Sequence, residues 1–196
     1  MSHKKILVIA AVLIIGAIVN YAWAVFAQIY AIPVGAEFVI AAYCLLVVLL
    51  PFSWREALCT GIAAGVLTIL ANPNHTIAIE GGQLVMKSGY VLGLANLVSE
   101  PVGILACFFA FTYLAVRFRT TAPFIATFIA TLASALTYVV LVSAFNPSLH
   151  VTDPAWLGGF LVKVGQVALT GAIIVQVLFL LLHERVRACR AAAAGP

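Results

Sequence analysis

The chain has 196 residues, 65% of them hydrophobic and only 8% charged, with a formal net charge of +4. Soluble domains run near a quarter charged, so a chain this poor in charge cannot cover a water-facing surface, and a soluble enzyme module is excluded. A mean hydropathy of +1.19 agrees. The basic residues stand between apolar runs, which reads as membrane topology rather than as a nucleic-acid face.

Six apolar segments follow one another at roughly 6–30, 36–52, 57–72, 101–116, 122–145 and 156–182. Several approach the ~20 residues that cross a ~30 Å hydrocarbon core, while the second and third are short and are expected to tilt or to sit inside the bundle. The expected fold is an all-α integral membrane protein, a six-transmembrane-helix bundle forming one domain over residues 1–196. With the amino terminus in the cytoplasm, Lys4, Lys5, Arg55, Arg117, Arg119, Arg185, Arg187 and Arg190 fall inside, and only Lys87 and Lys163 fall in the outer half. That bias predicts both termini in the cytoplasm and a multi-pass protein of the inner, cytoplasmic membrane. A secretory signal is the rival reading of the start, with small residues at Ala22 and Ala24, but the apolar run continues past them to Tyr30.

The first segment spaces Ala10, Ala17 and Ala24 by sevens, a smooth seam that serves either helix packing within the chain or docking of another membrane subunit. In the third, Ala57, Gly61 and Gly65 form a small-residue stripe, as do Ala126, Ala130 and Ser134 in the fifth, and such stripes let backbones approach closely in lipid. The inner turns are short. On the outer side, the connection after the third segment is long, which favours a binding loop or lid. A second outer loop, "NPSLHVTDPAW", carries two prolines as breakers.

Helical rise turns sequence into depth at ~1.5 Å per residue. Counted from the inner charge of each segment at ~1.5 Å per residue, Asn20 lies ~22 Å out, Asn72 ~24 Å, Glu100 ~25 Å, Tyr138 ~26 Å (from Thr121), Gln166 ~28 Å and Lys163 ~33 Å. Polar groups in apolar surroundings face a bundle interior or a cavity, so this layer predicts a pocket open to the outside. In "ANLVSEPVG", Ser99 is expected to cap a helix starting at Pro101, with Glu100 in its first turn near the positive end of the helix dipole. Glu100 and Lys163 either pair with each other or receive opposite charges of a solute. Asn72, Asn96, Tyr138 and Gln166 are expected to orient that solute, with Tyr90 and Trp156 at the rim. Trp156 and Trp23 suit an interfacial aromatic belt equally well. Glu37, Glu80 and Asp153 read as solvated loop charges. Gln176, alone in the inner half, suits a hydrogen bond between helices.

No catalytic residues, cofactor or metal site are expected. Cys44, Cys59, Cys107 and Cys189 show no C-x-x-C spacing. The four histidines divide between the two faces, and neither a phosphate loop nor a metalloprotease or nucleophile-elbow motif is present.

Several stretches resemble the substrate-binding S component of an energy-coupling factor (ECF) vitamin importer, its thiamine- and tryptophan-type branches above all. They are "KKILVIAAVLIIGA", the proline-bearing "AIPVGAEF", "WREALCTGIAAGVLTI", "LVSEPVGILACFFAF" and "PAWLGG". The Ala-x-x-x-Ala by which many members dock is absent, since Ile14 follows Ala10 and Ile15 follows Ala11 at i+4. The set of aromatics of the thiamine pocket is absent as well. The resemblance implies capture of a scarce small solute from outside, closure of the long loop over it, and partnership with a membrane coupling subunit and two cytoplasmic ATPases. A six-helix scaffold of an envelope assembly, binding proteins and no solute, is the competing reading.

Overall fold

The computed structural model describes residues 1–30, 36–71, 78–80, 83–85, 89–145 and 154–194. The helices are α1 (His3–Ile29), α2 (Phe38–Leu49), α3 (Trp54–Ala71), α4 (Gly89–Ala115), α5 (Ala122–Phe145) and α6 (Pro154–Ala194). Four of them hold stretches long and apolar enough to cross a membrane, over His3–Ala27, Gly93–Ala115, Ala122–Ala144 and Leu157–Glu184. The chain is a multi-pass membrane protein.

One element departs from the all-α expectation. The long connection between α3 and α4 carries an antiparallel hairpin of β1 (Ala78–Glu80) and β2 (Gln83–Val85), pairing Ala78 with Val85, Ile79 with Leu84 and Glu80 with Gln83. The signal stood in "IAIEGGQLV", two short apolar runs around Gly-Gly, a pair suited to a two-residue hairpin turn.

The short α2 occupies the middle of the bundle. Its 12 residues span about 18 Å at ~1.5 Å per residue, too little for a ~30 Å core. It is apolar on every side, as a fully enclosed helix must be, and nine of its residues are buried, Tyr43 and Cys44 completely. It packs against each of the other five helices.

Small residues set the spacing around it. Gly61 and Gly65 of α3 lie against the backbone of α4: a Cβ on Gly61 would stand 2.6 Å from Pro101 Cα, and one on Gly65 would stand 2.6 Å from the Asn96 carbonyl oxygen. On the opposite side of α4, Gly103 meets Ala130 and Ser134 of the α5 stripe. Both stripes therefore pack within the chain. The α1 seam does not form one free face, because Ala17 is buried while Ala10 is exposed.

At the end of the bundle where α1 begins, Lys5 Nζ donates to Glu56 Oε2 at 2.8 Å and to the Pro51 carbonyl, and it sits 4.6 Å from the centre of the Phe52 ring. Glu56 also accepts from Ser53 N–H at 2.8 Å, and its own N–H donates to Ser53 Oγ at 3.3 Å. "SWRE" is thus a capping box at the start of α3, whose carboxylate also ties down α1. Gln176 of α6 secures the α4–α5 turn in the way its solitary position predicted, accepting from Phe124 N–H at 3.2 Å and donating to the Thr120 carbonyl at 2.8 Å.

These contacts lead to two expected outcomes. Gly65→Ala should lower stability in detergent by about 1–3 kcal/mol, because the added methyl meets backbone that cannot step aside. Gly159→Ala, with nothing within 4 Å, should be neutral or stabilising. Comparative thermal unfolding checks both, and equal effects at the two positions would refute close α3–α4 packing. The second concerns acid. The Lys5 hydrogen bond first, and the Ser53 backbone N–H next, hold the Glu56 carboxyl below its ordinary value of 4.5. Since the folded value is the lower, the stabilisation is complete above about pH 4.5 and is lost as pH falls through the folded value. The stability gap between the wild type and Glu56→Gln should therefore be present at neutral pH and close on acidification.

Candidate functional site

A cavity of about 270 Å³ opens between α2, α3, α4, α5 and α6. Three of these helices line it with the same stripe, successive residues on one helical face. α4 gives Asn96, Ser99 and Glu100; α5 gives Thr131, Ser134, Ala135 and Tyr138; α6 gives Phe160, Lys163, Val164 and Val167. Thr68 comes from α3, and Ile40 with the preceding Glu37 comes from α2.

The head of α4 lies elsewhere than the polar run implied. The helix starts at Gly89, so Ser99, Glu100 and Pro101 belong to its interior. Ser99 is therefore no cap and Glu100 stands in no first turn. A run that reads as a loop in one dimension is here one polar face of a helix, turned to the cavity. Pro101 forgoes its amide bond inside the helix, a loss that membrane helices tolerate when neighbours pack tightly, as Gly61 does here. Glu100, 3% exposed, is a carboxylate well inside an apolar segment. Such a group is a functional-site candidate by its cost alone.

Glu37 also departs from its expected role. It is the residue preceding α2, yet its side chain does not cap that helix. The cap comes from α1: the buried Asn20 accepts the Phe38 N–H at 2.9 Å through Oδ1. Asn20 is therefore structural, and Glu37 lines the same cavity as Glu100 and Lys163. No ion pair joins Glu100 to Lys163. Two carboxylates from different elements thus face one ammonium.

The hydroxyls add direction to this arrangement. Thr68 Oγ1 donates to the Ala64 carbonyl and Thr131 Oγ1 to that of Thr127, each at 3.0 Å, so their remaining capacity toward the cavity is as acceptors. Tyr43, Thr68 and Ser134 stand around the Glu100 carboxyl. One of its oxygens stays unmet: among the described residues Glu100 Oε2, like Ser99 Oγ and Tyr43 OH, is buried with no hydrogen-bond partner. Two of these atoms, on Ser99 and Glu100, belong to residues that line the cavity and mark a place where a polar partner belongs, since each unmade bond costs ~1–3 kcal/mol.

Neither a protein family, nor a curated relative, nor a solved structure matches the chain.

Of the expected site residues, Glu100, Lys163, Asn96 and Tyr138 line the cavity. Gln166 does not; it is exposed, about 110° around α6 from the lining stripe at ~100° per residue. Asn72 lies outside the described residues. Tyr90 and Trp156 belong to α4 and α6, and their side chains lie outside the described residues. Glu37, Thr68, Ser99, Thr131 and Ser134 are additions. The i, i+3, i+4 spacing of Asn96, Ser99 and Glu100 was the available signal for Ser99. Nothing in the sequence distinguished Glu37 from a loop acid, because the Asn20 cap is a tertiary contact. Among the described residues no group of histidine, cysteine or acidic side chains is arranged to hold a metal ion.

The Asn20 contact is testable directly. Asn20→Ala should destabilise the protein in detergent by about 1 kcal/mol, the loss of one helix cap, read as a lower unfolding temperature. Unchanged stability would show that α2 needs no cap from α1.

Proposed function

We propose that the protein is the membrane-embedded, high-affinity binding subunit of an uptake system for a small aromatic or nitrogen-containing metabolite. The observation that carries this reading is the cavity among five helices, with Glu100 unpaired inside it. A cavity of about 270 Å³ is near the lower end of sites for small molecules, and its mixture of an apolar wall with a few convergent polar groups is what such sites use. The scaffold reading calls for a polar layer paired within itself, and the orphaned atoms of Tyr43, Ser99 and Glu100 favour the solute instead.

In this reading all six helices belong to the membrane domain of an inner-membrane protein, both termini face the cytoplasm, and the cavity opens outward on the side of the α3–α4 connection. The clustering of basic residues in the turns and tails assigned to the inside supports that orientation. The resemblance to S components of ECF importers supplies the rest: a coupling subunit in the membrane, two ATPases in the cytoplasm, and no chemistry by this chain itself. The short, enclosed α2 and the elaborated α3–α4 connection are compatible with that assignment.

Mass spectrometry of small molecules released by denaturing the purified, washed protein should recover a single metabolite at about one per chain, as a single enclosed site requires. Glu100→Gln should then weaken binding of that metabolite at least about tenfold, or ~1.4 kcal/mol, with the fold intact. An empty protein would favour the scaffold, and unchanged affinity would remove Glu100 from the site.

A further inference from the structure

The charges and donors around the cavity constrain the chemistry of its occupant. Resting on the solute-binding reading, we propose that the solute is amphoteric: a cationic nitrogen at the end held by Glu100 and Glu37, an acceptor such as a carboxylate at the end facing Lys163, and an apolar or aromatic body between.

On the wall formed by α3, α4 and α5, two hydroxyls are fixed as acceptors, while Asn96, Ser134 and Tyr138 keep groups that can donate. The hydroxyl hydrogens of Thr68 and Thr131 are committed to carbonyls of their own helices. What they turn toward the cavity are lone pairs, and an ionised carboxyl offers only lone pairs. Ser99 and Tyr43 hydroxyls can rotate to donate or to accept, so they adapt to the ligand without deciding its charge. The partner that suits Glu100 Oε2, buried and unsatisfied, is therefore a donor, and in a desolvated place a charged donor binds a carboxylate about twice as strongly as a neutral one.

The balance of charges points the same way. Glu37, Glu100 and Lys163 line one cavity. Two ionised carboxylates so placed repel each other, and Lys163 supplies one positive charge against them. A solute with a net negative charge would add a third anion to the set. One with a net positive charge would close the imbalance, and one carrying both charges leaves it unchanged while pairing each of its ends, its ammonium with the carboxylates and its acceptor with the three donors of Lys163. Ile40, Tyr138, Phe160, Val164 and Val167 line the apolar part of the cavity, and an aromatic ring or short aliphatic body fits there by burial alone.

The test uses three probes of the same body on the full-length, washed protein in detergent: phenethylamine (cation only), phenylalanine (both charges) and 3-phenylpropionate (anion only). Thermal unfolding with millimolar probe should show stabilisation by phenylalanine and phenethylamine and none by 3-phenylpropionate. Glu100→Gln should weaken the response to phenethylamine at least about tenfold in half-saturating concentration. Glu37→Gln, half-buried at the head of α2, should weaken it in the same direction and serves if the Glu100 variant fails to fold. Lys163→Gln should leave phenethylamine binding and remove the advantage of phenylalanine. A response led by 3-phenylpropionate, a phenethylamine response unaffected by both carboxylate variants, or silence to all three probes would overturn the assignment. The two readings fail separately: a metabolite recovered from the washed protein that lacks a cationic nitrogen refutes the charge assignment and leaves solute binding standing. A protein that yields no metabolite and answers none of the probes loses both.

Discussion

A helix of 12 residues enclosed by five others is the constraint on which the rest of this molecule depends. Because α2 is too short to cross the hydrocarbon core, at least one of its ends falls at a depth where water cannot complete the terminal hydrogen bonds. The chain resolves this with Asn20, a buried side chain of the neighbouring α1, which takes the Phe38 N–H. The residue in the cap position, Glu37, makes no side-chain cap bond and lines the cavity. The same helix buries Tyr43, whose hydroxyl has no hydrogen-bond partner among the described residues.

Close packing on the other side of the cavity makes the arrangement specific. α4 is held between the glycines of α3 and the small residues of α5, and its polar face is left with one direction to look. Pro101 and Glu100 are adjacent in sequence but do different work. Proline sits at the tight contact with Gly61, while Glu100 faces the cavity. In lipid no hydrophobic force separates these alternatives; steric fit and the need to shelter a carboxylate do. The polar cost at Glu100 is thereby left unmet by its neighbours, a poor property of a structural core.

Much of the architecture was legible in one dimension. Apolar runs gave the number of helices, the shortness of the second run anticipated its place inside the bundle, and the stripes at Ala57, Gly61, Gly65 and Ala126, Ala130, Ser134 marked the faces that touch α4. A depth count found three of the cavity's residues, because helical rise is nearly constant and depth survives without knowing rotation. The same count misassigned Asn20 and Gln166, since depth says nothing of the direction in which a side chain points. The misplaced start of α4 has a related cause: polar residues in an apolar chain look like a break, and only a neighbouring cavity makes them a face.

The sequence by itself determined the class of solvent, the supply of helices and the small stock of polar groups within the apolar segments, because these depend on composition and spacing alone. Which groups converge was decided by tertiary structure. Burial is a property of surroundings: Glu37 precedes a helix that it does not cap and lines the cavity instead, Gln166 turns away because Lys163, Val164 and Val167 of the same helix already face the cavity, and Glu100 Oε2 has no partner among the described residues, with Lys163 beyond ion-pair range on another helix.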